Sequence, residues 1–217
     1  MLLIAIPKSA STALIETLAR THGLRCDMWR KWPGECSREF PAFHMQHSYG
    51  WELDAETARE LVQSSTLFKL HILPSTNNQA LLHALPKVIL LRQPDDIVRA
   101  YRRGQETGVY RQKTAAFDGC VTDDDWIARA SEVGLHQDLT AFRDRWMAHP
   151  GDKHIVHYED LVRDPAGVLA GIERYWSLPA SGVTELLKRK YTRLGAQSLA
   201  EHKATEALWK ETGRDAN

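Results

Sequence analysis

Residues 2–22 read LLIAIPKSASTALIETLARTH, and this stretch decides the fold. The apolar run from Leu2 to Ile6 has the pattern of a buried strand, and apolar residues recur at helical spacing from Leu14 to Leu18. Between them lies the loop PKSAST, with one lysine and three hydroxyl side chains. The N–H groups at a helix N-terminus are unpaired and carry the positive end of the helix dipole, so this order of elements predicts an anion site. We interpret the anion as a nucleotide phosphate.

The loop does not follow the common triphosphate-binding pattern GxxxxGK[ST], in which the lysine and the hydroxyl residue come last. Here Lys8 comes first and the loop contains no glycine. A simpler interpretation therefore stays open at this point. Ser9 or Ser11 would then be an ordinary helix N-cap and Lys8 a solvated surface charge.

A second segment, residues 86–103, reads PKVILLRQPDDIVRAYRR. Val88 to Leu91 have a buried-strand pattern, and a helix with acids in its first turn follows from Asp95. Arg92 therefore ends a strand, at the edge of a parallel sheet where ligands collect, and its guanidinium offers paired donors to a phosphate. The alternative is that Arg92 only pairs with Asp95 or Asp96.

Two further segments complete the pattern: residues 67–74 read LFKLHILP, and residues 157–165 read HYEDLVRDP. With the first two, they resemble four motifs of the sulfotransferases: the 5′-phosphosulfate loop PKSGTTW, the KTHLP segment, the 3′-phosphate motif LLRDPRDVVRSYYR and the YEDLVRDP stretch. The four segments occur in the family's order and span residues 2–165.

The resemblance implies an α/β fold of three layers with a central parallel sheet, a nucleotide-binding fold like that of the P-loop proteins. It also implies transfer of a sulfuryl group from 3′-phosphoadenosine 5′-phosphosulfate to a hydroxyl or amine of a small-molecule acceptor. The product of the donor would be adenosine 3′,5′-bisphosphate, and no metal would be needed.

The resemblance assigns roles to individual residues. His71 matches the general base, Lys8 the cation at the 5′-phosphate and bridging oxygen, and Lys69 a contact to the transferring sulfonate. Arg92 matches the 3′-phosphate ligand and Tyr158 the residue that contacts adenine. The loop residues that would surround the 5′-phosphate, chiefly through backbone N–H groups, are Ser9, Ala10, Ser11 and Thr12.

Three alanines depart from the family's pattern. Ala10 replaces the loop glycine, so we expect a loop conformation that a Cβ atom tolerates. Ala13 replaces an aromatic residue, and Ala100 replaces the serine that shares the 3′-phosphate with the arginine. Because alanine cannot donate a hydrogen bond, another group has to take that place, and the candidates on the same helix are Arg99, Arg102 and Arg103.

Two other functions remain open. One is a small-molecule kinase on the same architecture, which predicts a metal-binding aspartate near the loop and no preference for a 3′-phosphate. The other is a degenerate, non-catalytic relative that binds the nucleotide or a protein partner.

The pattern predicts one domain over residues 1–217. Strands are expected near residues 2–6, 24–28, 66–71, 87–91 and 154–157. Long helical connections between short apolar strands indicate a parallel sheet with helices on both faces. The helices are expected near residues 11–22, 54–64, 95–107, 123–148, 166–176, 181–190 and 198–212.

The composition limits the partners. The 28 basic and 28 acidic residues balance, which gives no overall attraction to nucleic acid or to an acidic membrane. Three cysteines and ten histidines show no metal-binding spacing, and the first apolar run is too short for a signal peptide or membrane anchor. We therefore expect a cytoplasmic enzyme. An aromatic and polar region from Trp29 to Trp51 is expected to define acceptor specificity. The alternative for about half of its aromatic residues is a place in the core.

Overall fold

The computed structural model describes residues 1–28, 37–43, 52–107 and 115–187. In this part of the chain a parallel sheet has the strand order β2-β3-β1-β4-β5. The strands are β1 (Leu2–Ala5), β2 (Cys26–Asp27), β3 (Leu67–Leu70), β4 (Lys87–Leu91) and β5 (Lys153–His157). The helices are α1 (Ser11–His22), α2 (Ala55–Gln63), α3 (Thr76–Leu81), α4 (Pro94–Glu106), α5 (Asp123–Glu132), α6 (Leu135–Ala148), α7 (Tyr158–Arg163) and α8 (Pro165–Tyr175).

Helices cover both faces of the sheet, so the central strands are buried throughout. Side chains alternate along β1: Leu2 and Ile4 join a core that includes Phe142 and Trp146 of α6. Leu3 and Ala5 point the other way, into a core built largely from α1 and α8. The predicted three-layer α/β architecture with a parallel central sheet is confirmed.

Most predicted elements match the structure within one or two residues, and α1 has the predicted bounds. The single helix predicted over residues 123–148 is wrong, because two helices, α5 and α6, occupy this range. Gly134 lies between them with φ +81°, in the left-handed region that an α-helix cannot contain. The break lets Asp138, in the first turn of α6, accept hydrogen bonds from the backbone N–H groups of Ala42 and Phe43.

The helix predicted over residues 181–190 is wrong for residues 181–187, which form no helix, and its remainder lies outside the described residues. The predicted helix over residues 198–212 also lies outside them. Two short helices, α3 and α7, were not predicted. Within the described ranges, none of the helices has the length and apolar character needed to cross a membrane.

Candidate active site

Four of the residues singled out from the sequence follow the carboxyl ends of neighbouring strands. The register pairs Ile4 with Leu70, Ala5 with Leu90 and Leu91 with His157, so these strands end at nearly the same level. His71, Arg92 and Tyr158 directly follow β3, β4 and β5, and Lys8 lies three residues after the end of β1. They therefore gather at the edge of the sheet where α/β proteins bind ligands.

The loop after β1 has an unusual backbone. Lys8 has φ +58° and Ala10 has φ +61°, whereas Ser9 between them does not have a positive φ. An alternation in the sign of φ can turn successive N–H groups to one side, as it does in concave anion-binding nests. The expectation that Ala10 would give up the positive φ of glycine for a conformation that a Cβ atom tolerates is wrong, because Ala10 adopts the left-handed conformation that glycine would take.

Helix α1 starts without a side-chain cap, and its first turn carries no acid. Ala10 is the N-cap residue, and the Ser9 hydroxyl donates to the Ile6 carbonyl, 2.6 Å away inside the loop. The interpretation of Ser9 or Ser11 as an ordinary N-cap is therefore wrong. Without a competing carboxylate or hydroxyl cap, the first N–H groups of α1 remain suited to an anionic ligand.

Lys8 is half-buried beside the ring of Tyr101 in α4, with its Nζ 5.6 Å from the ring centroid. Burial lowers the pKa of Lys8 to about 8. A lysine in such a place is stabilised as a cation when an anion binds next to it. The placement fits the predicted contact with a phosphate.

Lys69 and His71 are adjacent at the end of β3. The His71 Nδ1 lies 2.6 Å from the carbonyl oxygen of Ala5 in β1, and its Nε2 lies 3.2 Å from the Lys69 Nζ. A carbonyl only accepts, so Nδ1 carries the proton and donates, and Nε2 of the neutral ring keeps its lone pair. The ring is thus held in the tautomer that a general base at Nε2 requires.

Burial lowers the pKa of His71 to about 3, and the charges of Lys69 and Lys8 act in the same direction. His71 is therefore neutral at physiological pH. The influence of both lysines also means that the three side chains share one electrostatic environment. A bound polyanion would offset the lysine charges and raise the pKa of the imidazole toward the range useful for catalysis.

Arg92 is joined directly to the loop after β1 by a hydrogen bond. Its Nη1 donates to the Lys8 carbonyl at 2.5 Å, and its guanidinium carbon lies 4.0 Å from the centroid of the Tyr158 ring. Among the described residues its buried Nε has no hydrogen-bond partner. Asp95 and Asp96, the alternative partners of Arg92, contact His136 at 2.8 Å and Arg99 at 3.0 Å respectively.

Two other predicted nucleotide ligands contact side chains of the protein. Tyr158, expected to contact adenine, stacks on the guanidinium of Arg92. Arg99 pairs with Asp96 at 3.0 Å and approaches Asp123 at 3.8 Å. Its contact with the nucleotide stays a prediction, in competition with these two carboxylates.

The arrangement combines a loop with alternating signs of φ, two lysines, an arginine and a neutral imidazole at one edge of the sheet. These groups can bind phosphate, stabilise developing negative charge and accept a proton. Among the described residues, no group of three or more His, Cys, Asp or Glu side chains is placed to hold a metal ion.

Comparison with known proteins gives matches at the level of structure. No protein-family model matches the chain, and no curated protein matches its sequence. A crystal structure of a sulfotransferase from Alicyclobacillus acidocaldarius matches with a TM-score of 0.53 and 12% identity, over 99% of this chain and 96% of that one. The chain has the sulfotransferase fold.

Mouse sulfotransferase SULT7A1 in complex with PAP also matches, with a TM-score of 0.50 and 12% identity over 91% of this chain. The match covers 62% of the mouse chain. At these identities the likeness to both sulfotransferases is one of fold.

Sequence reasoning missed two contributors to the site. The Ala5 carbonyl that orients His71 has no sequence signal, because it is a backbone group 66 residues away. Tyr101 does have a sequence signal, because it is an aromatic residue on the apolar face of a helix that begins beside Arg92. The aromatic region proposed for acceptor specificity lies largely outside the described residues, which include only its positions 37–43.

Proposed function

We propose that this chain is a sulfotransferase that moves a sulfuryl group from 3′-phosphoadenosine 5′-phosphosulfate to a hydroxyl of a small-molecule acceptor. The observation that carries the proposal is the loop after β1. Its alternating backbone and uncapped helix suit a phosphate, and Arg92 contacts the same loop through the Lys8 carbonyl. The shared fold supports the same conclusion.

The donor supplies an activated sulfuryl group whose S–O bond to the 5′-phosphate breaks while a new bond to the acceptor oxygen forms. Negative charge then grows on the phosphate. Lys8 and the first N–H groups of α1 are the donors suited to stabilise it, because they are fixed before the reaction begins. Lys69, whose Nζ is adjacent to His71, would contact the transferring group.

His71 would take the acceptor proton at Nε2. The hydrogen bond from Nδ1 to the Ala5 carbonyl keeps the ring in position and stabilises the imidazolium that forms. The low pKa of His71 in the free protein would rise when the anionic donor offsets the charges of Lys69 and Lys8. Arg92 would bind the 3′-phosphate that distinguishes this donor from ATP.

The test is transfer of labelled sulfate from the donor to a panel of phenols, alcohols and sugars. We expect Lys8→Ala to lower turnover roughly a hundredfold or more, since one preorganised donor contributes about 3–4 kcal/mol to the transition state. His71→Ala should lower turnover while leaving binding of adenosine 3′,5′-bisphosphate intact. His83→Ala is the matched control, because His83 is exposed and precedes the opposite end of β4.

Ligand-induced thermal stabilisation and transfer assays distinguish this function from the two rival functions. A kinase would be stabilised against heat by ATP with magnesium in preference to the bisphosphate, and a ligand at a hundred times its Kd adds about 2.7 kcal/mol. A degenerate relative would bind the bisphosphate or only a protein partner, show no transfer to any acceptor and be unaffected by His71→Ala.

A further inference from the structure

Among the described residues, Arg92 is the one cation that the proposed function places at the 3′-phosphate. The Nη1 of Arg92 donates a hydrogen bond to the Lys8 carbonyl. Its buried Nε has no hydrogen-bond partner among the described residues. Ala100 on α4 replaces the serine whose hydroxyl, by resemblance to the family, would bind the 3′-phosphate together with the arginine. Its methyl group cannot donate a hydrogen bond. A dianionic phosphate therefore requires a further donor from nearby.

The register of α4 points to Arg103. Asp96, Ala100 and Arg103 are spaced by four and then three residues, so they lie along one face of the helix. Side chains in a helix lean toward its N-terminus, so the side chain of Arg103 is expected to extend over the turn that contains Ala100. A methyl group at position 100 is small enough to let a long side chain pass over it toward Arg92.

The neighbouring arginines are already committed to carboxylates. Arg99 pairs with Asp96, and Arg102 contacts Asp123 at 2.6 Å and Glu106 at 2.9 Å. Arg103 is exposed, and within the described ranges no carboxylate forms an ion pair with it. It is thus the arginine of this helix whose charge is least offset.

Arg103 and Arg92 also affect each other electrostatically. Burial is the main cause that lowers the pKa of Arg92, and the positive charge of Arg103 acts in the same direction. Tyr158 and the acids Asp96 and Glu159 act in the opposite direction. Of these two acids, Asp96 is already bonded to Arg99. An anion bound between the two guanidinium groups would relieve their repulsion.

We propose that Arg103 is the second cation of the 3′-phosphate subsite, reaching back over Ala100 to bind the phosphate together with Arg92. The proposal rests on the proposed function, because it assumes a ligand with a 3′-phosphate. Arg103 would then determine specificity for the doubly phosphorylated nucleotide and contribute little to binding of a nucleotide that lacks that phosphate.

The test compares adenosine 3′,5′-bisphosphate with adenosine 5′-monophosphate by calorimetric titration of the full chain. The wild-type protein should prefer the bisphosphate, and Arg103→Gln should reduce this preference roughly tenfold to a hundredfold, the usual range for a charged hydrogen bond. Its affinity for the monophosphate should change little. Arg103→Lys, which keeps the charge but loses the paired donors, should lose less of the preference.

Arg102→Gln is the matched control, because it removes the same charge from the adjacent position, where the side chain contacts Asp123. It should leave the preference unchanged within about twofold. If Arg103→Gln keeps the wild-type preference, the role of Arg103 is excluded while the proposed function stands. If the wild-type protein does not prefer the bisphosphate at all, the proposed function fails and the role of Arg103 fails with it.

Discussion

Lys8 shows how the surroundings of one side chain set the chemistry available to it. Its position beside the Tyr101 ring buries the ammonium group and lowers its pKa to about 8, so a fraction of the lysine is neutral in mildly alkaline solution. A phosphate can only be attracted by the protonated form. If Lys8 binds the phosphate as proposed, ligand binding and proton binding at Lys8 are therefore coupled.

This coupling predicts a pH dependence of nucleotide affinity. As the pH rises above about 8, the free protein loses the Lys8 proton, whereas the complex keeps it because the phosphate raises the pKa of the lysine. The Kd for adenosine 3′,5′-bisphosphate should therefore increase between pH 8 and pH 10, as measured by calorimetric titration.

Lys8→Arg supplies the control, since arginine remains charged over this range. The variant should bind with an affinity that is nearly constant from pH 8 to pH 10. Equal slopes for the two proteins would exclude Lys8 as the group that couples binding to protonation.

At the scale of the element, the loop after β1 and helix α1 act as one unit. Ala10 adopts a left-handed conformation that costs an L-amino acid roughly 1–2 kcal/mol relative to glycine. Strained backbone of this kind is found at functional sites, where the surrounding structure enforces it.

Replacing Ala10 by glycine should therefore stabilise the protein. The strain that is removed exceeds the additional entropy of glycine in the unfolded chain, about 0.4–1 kcal/mol, so the free energy of unfolding should rise by about 0.5–1 kcal/mol. Urea denaturation followed by circular dichroism measures this change.

Ala13→Gly makes the same chemical change inside the first turn of α1, and it should destabilise the protein by about 0.5–1 kcal/mol. Opposite signs for the two substitutions support the strained loop. A loss of stability at Ala10 as large as that at Ala13 would contradict it.

Elements with a strong apolar period could be predicted from the sequence, as the correct bounds of α1 illustrate. The break at Gly134 could not be predicted from the sequence, because glycine is tolerated inside helices. The break is useful only through the hydrogen bonds that Asp138 accepts from residues 42 and 43. Helix α3 could not be predicted because its six residues are too few to show a helical period. Its one sequence signal is Ser75, a typical N-cap residue.

At the scale of the whole molecule, the fold brings together groups that are distant in the sequence. The motifs allowed Lys8, His71 and Arg92 to be proposed as neighbours, since strand ends meet at one edge of a parallel sheet. The contact of Arg92 with the Lys8 carbonyl and the tautomer of His71 could not be predicted. Both depend on backbone carbonyls more than sixty residues away from the side chain that they hold.

The opposite end of the sheet affects stability in acid. His149 is 2% exposed, and neither of its ring nitrogens has a hydrogen-bond partner among the described residues. Burial lowers its pKa to about 4, and the charges of Lys87, Lys153 and His83 act in the same direction. The unfolded chain would bind this proton near the ordinary histidine pKa of about 6.5.

The free energy of unfolding should consequently fall as the pH is lowered from about 6.5 to about 4, where the unfolded chain binds a proton that the folded protein excludes. His149→Leu removes this proton site, so the free energy of unfolding of the variant should depend less steeply on pH between about 6.5 and about 4 than that of the wild type. Urea denaturation at several pH values measures both slopes. Identical slopes would show that His149 is not buried in its neutral form.

The most direct test of the account is calorimetric titration of the wild-type protein, Lys8→Ala and Arg92→Gln with adenosine 3′,5′-bisphosphate and adenosine 5′-monophosphate. We predict that the wild-type protein binds the bisphosphate more tightly than the monophosphate. Lys8→Ala should weaken binding of both nucleotides, and Arg92→Gln should weaken binding of the bisphosphate far more than that of the monophosphate. A wild-type protein that does not bind the bisphosphate, or an Arg92→Gln variant that binds both nucleotides as the wild type does, would contradict it.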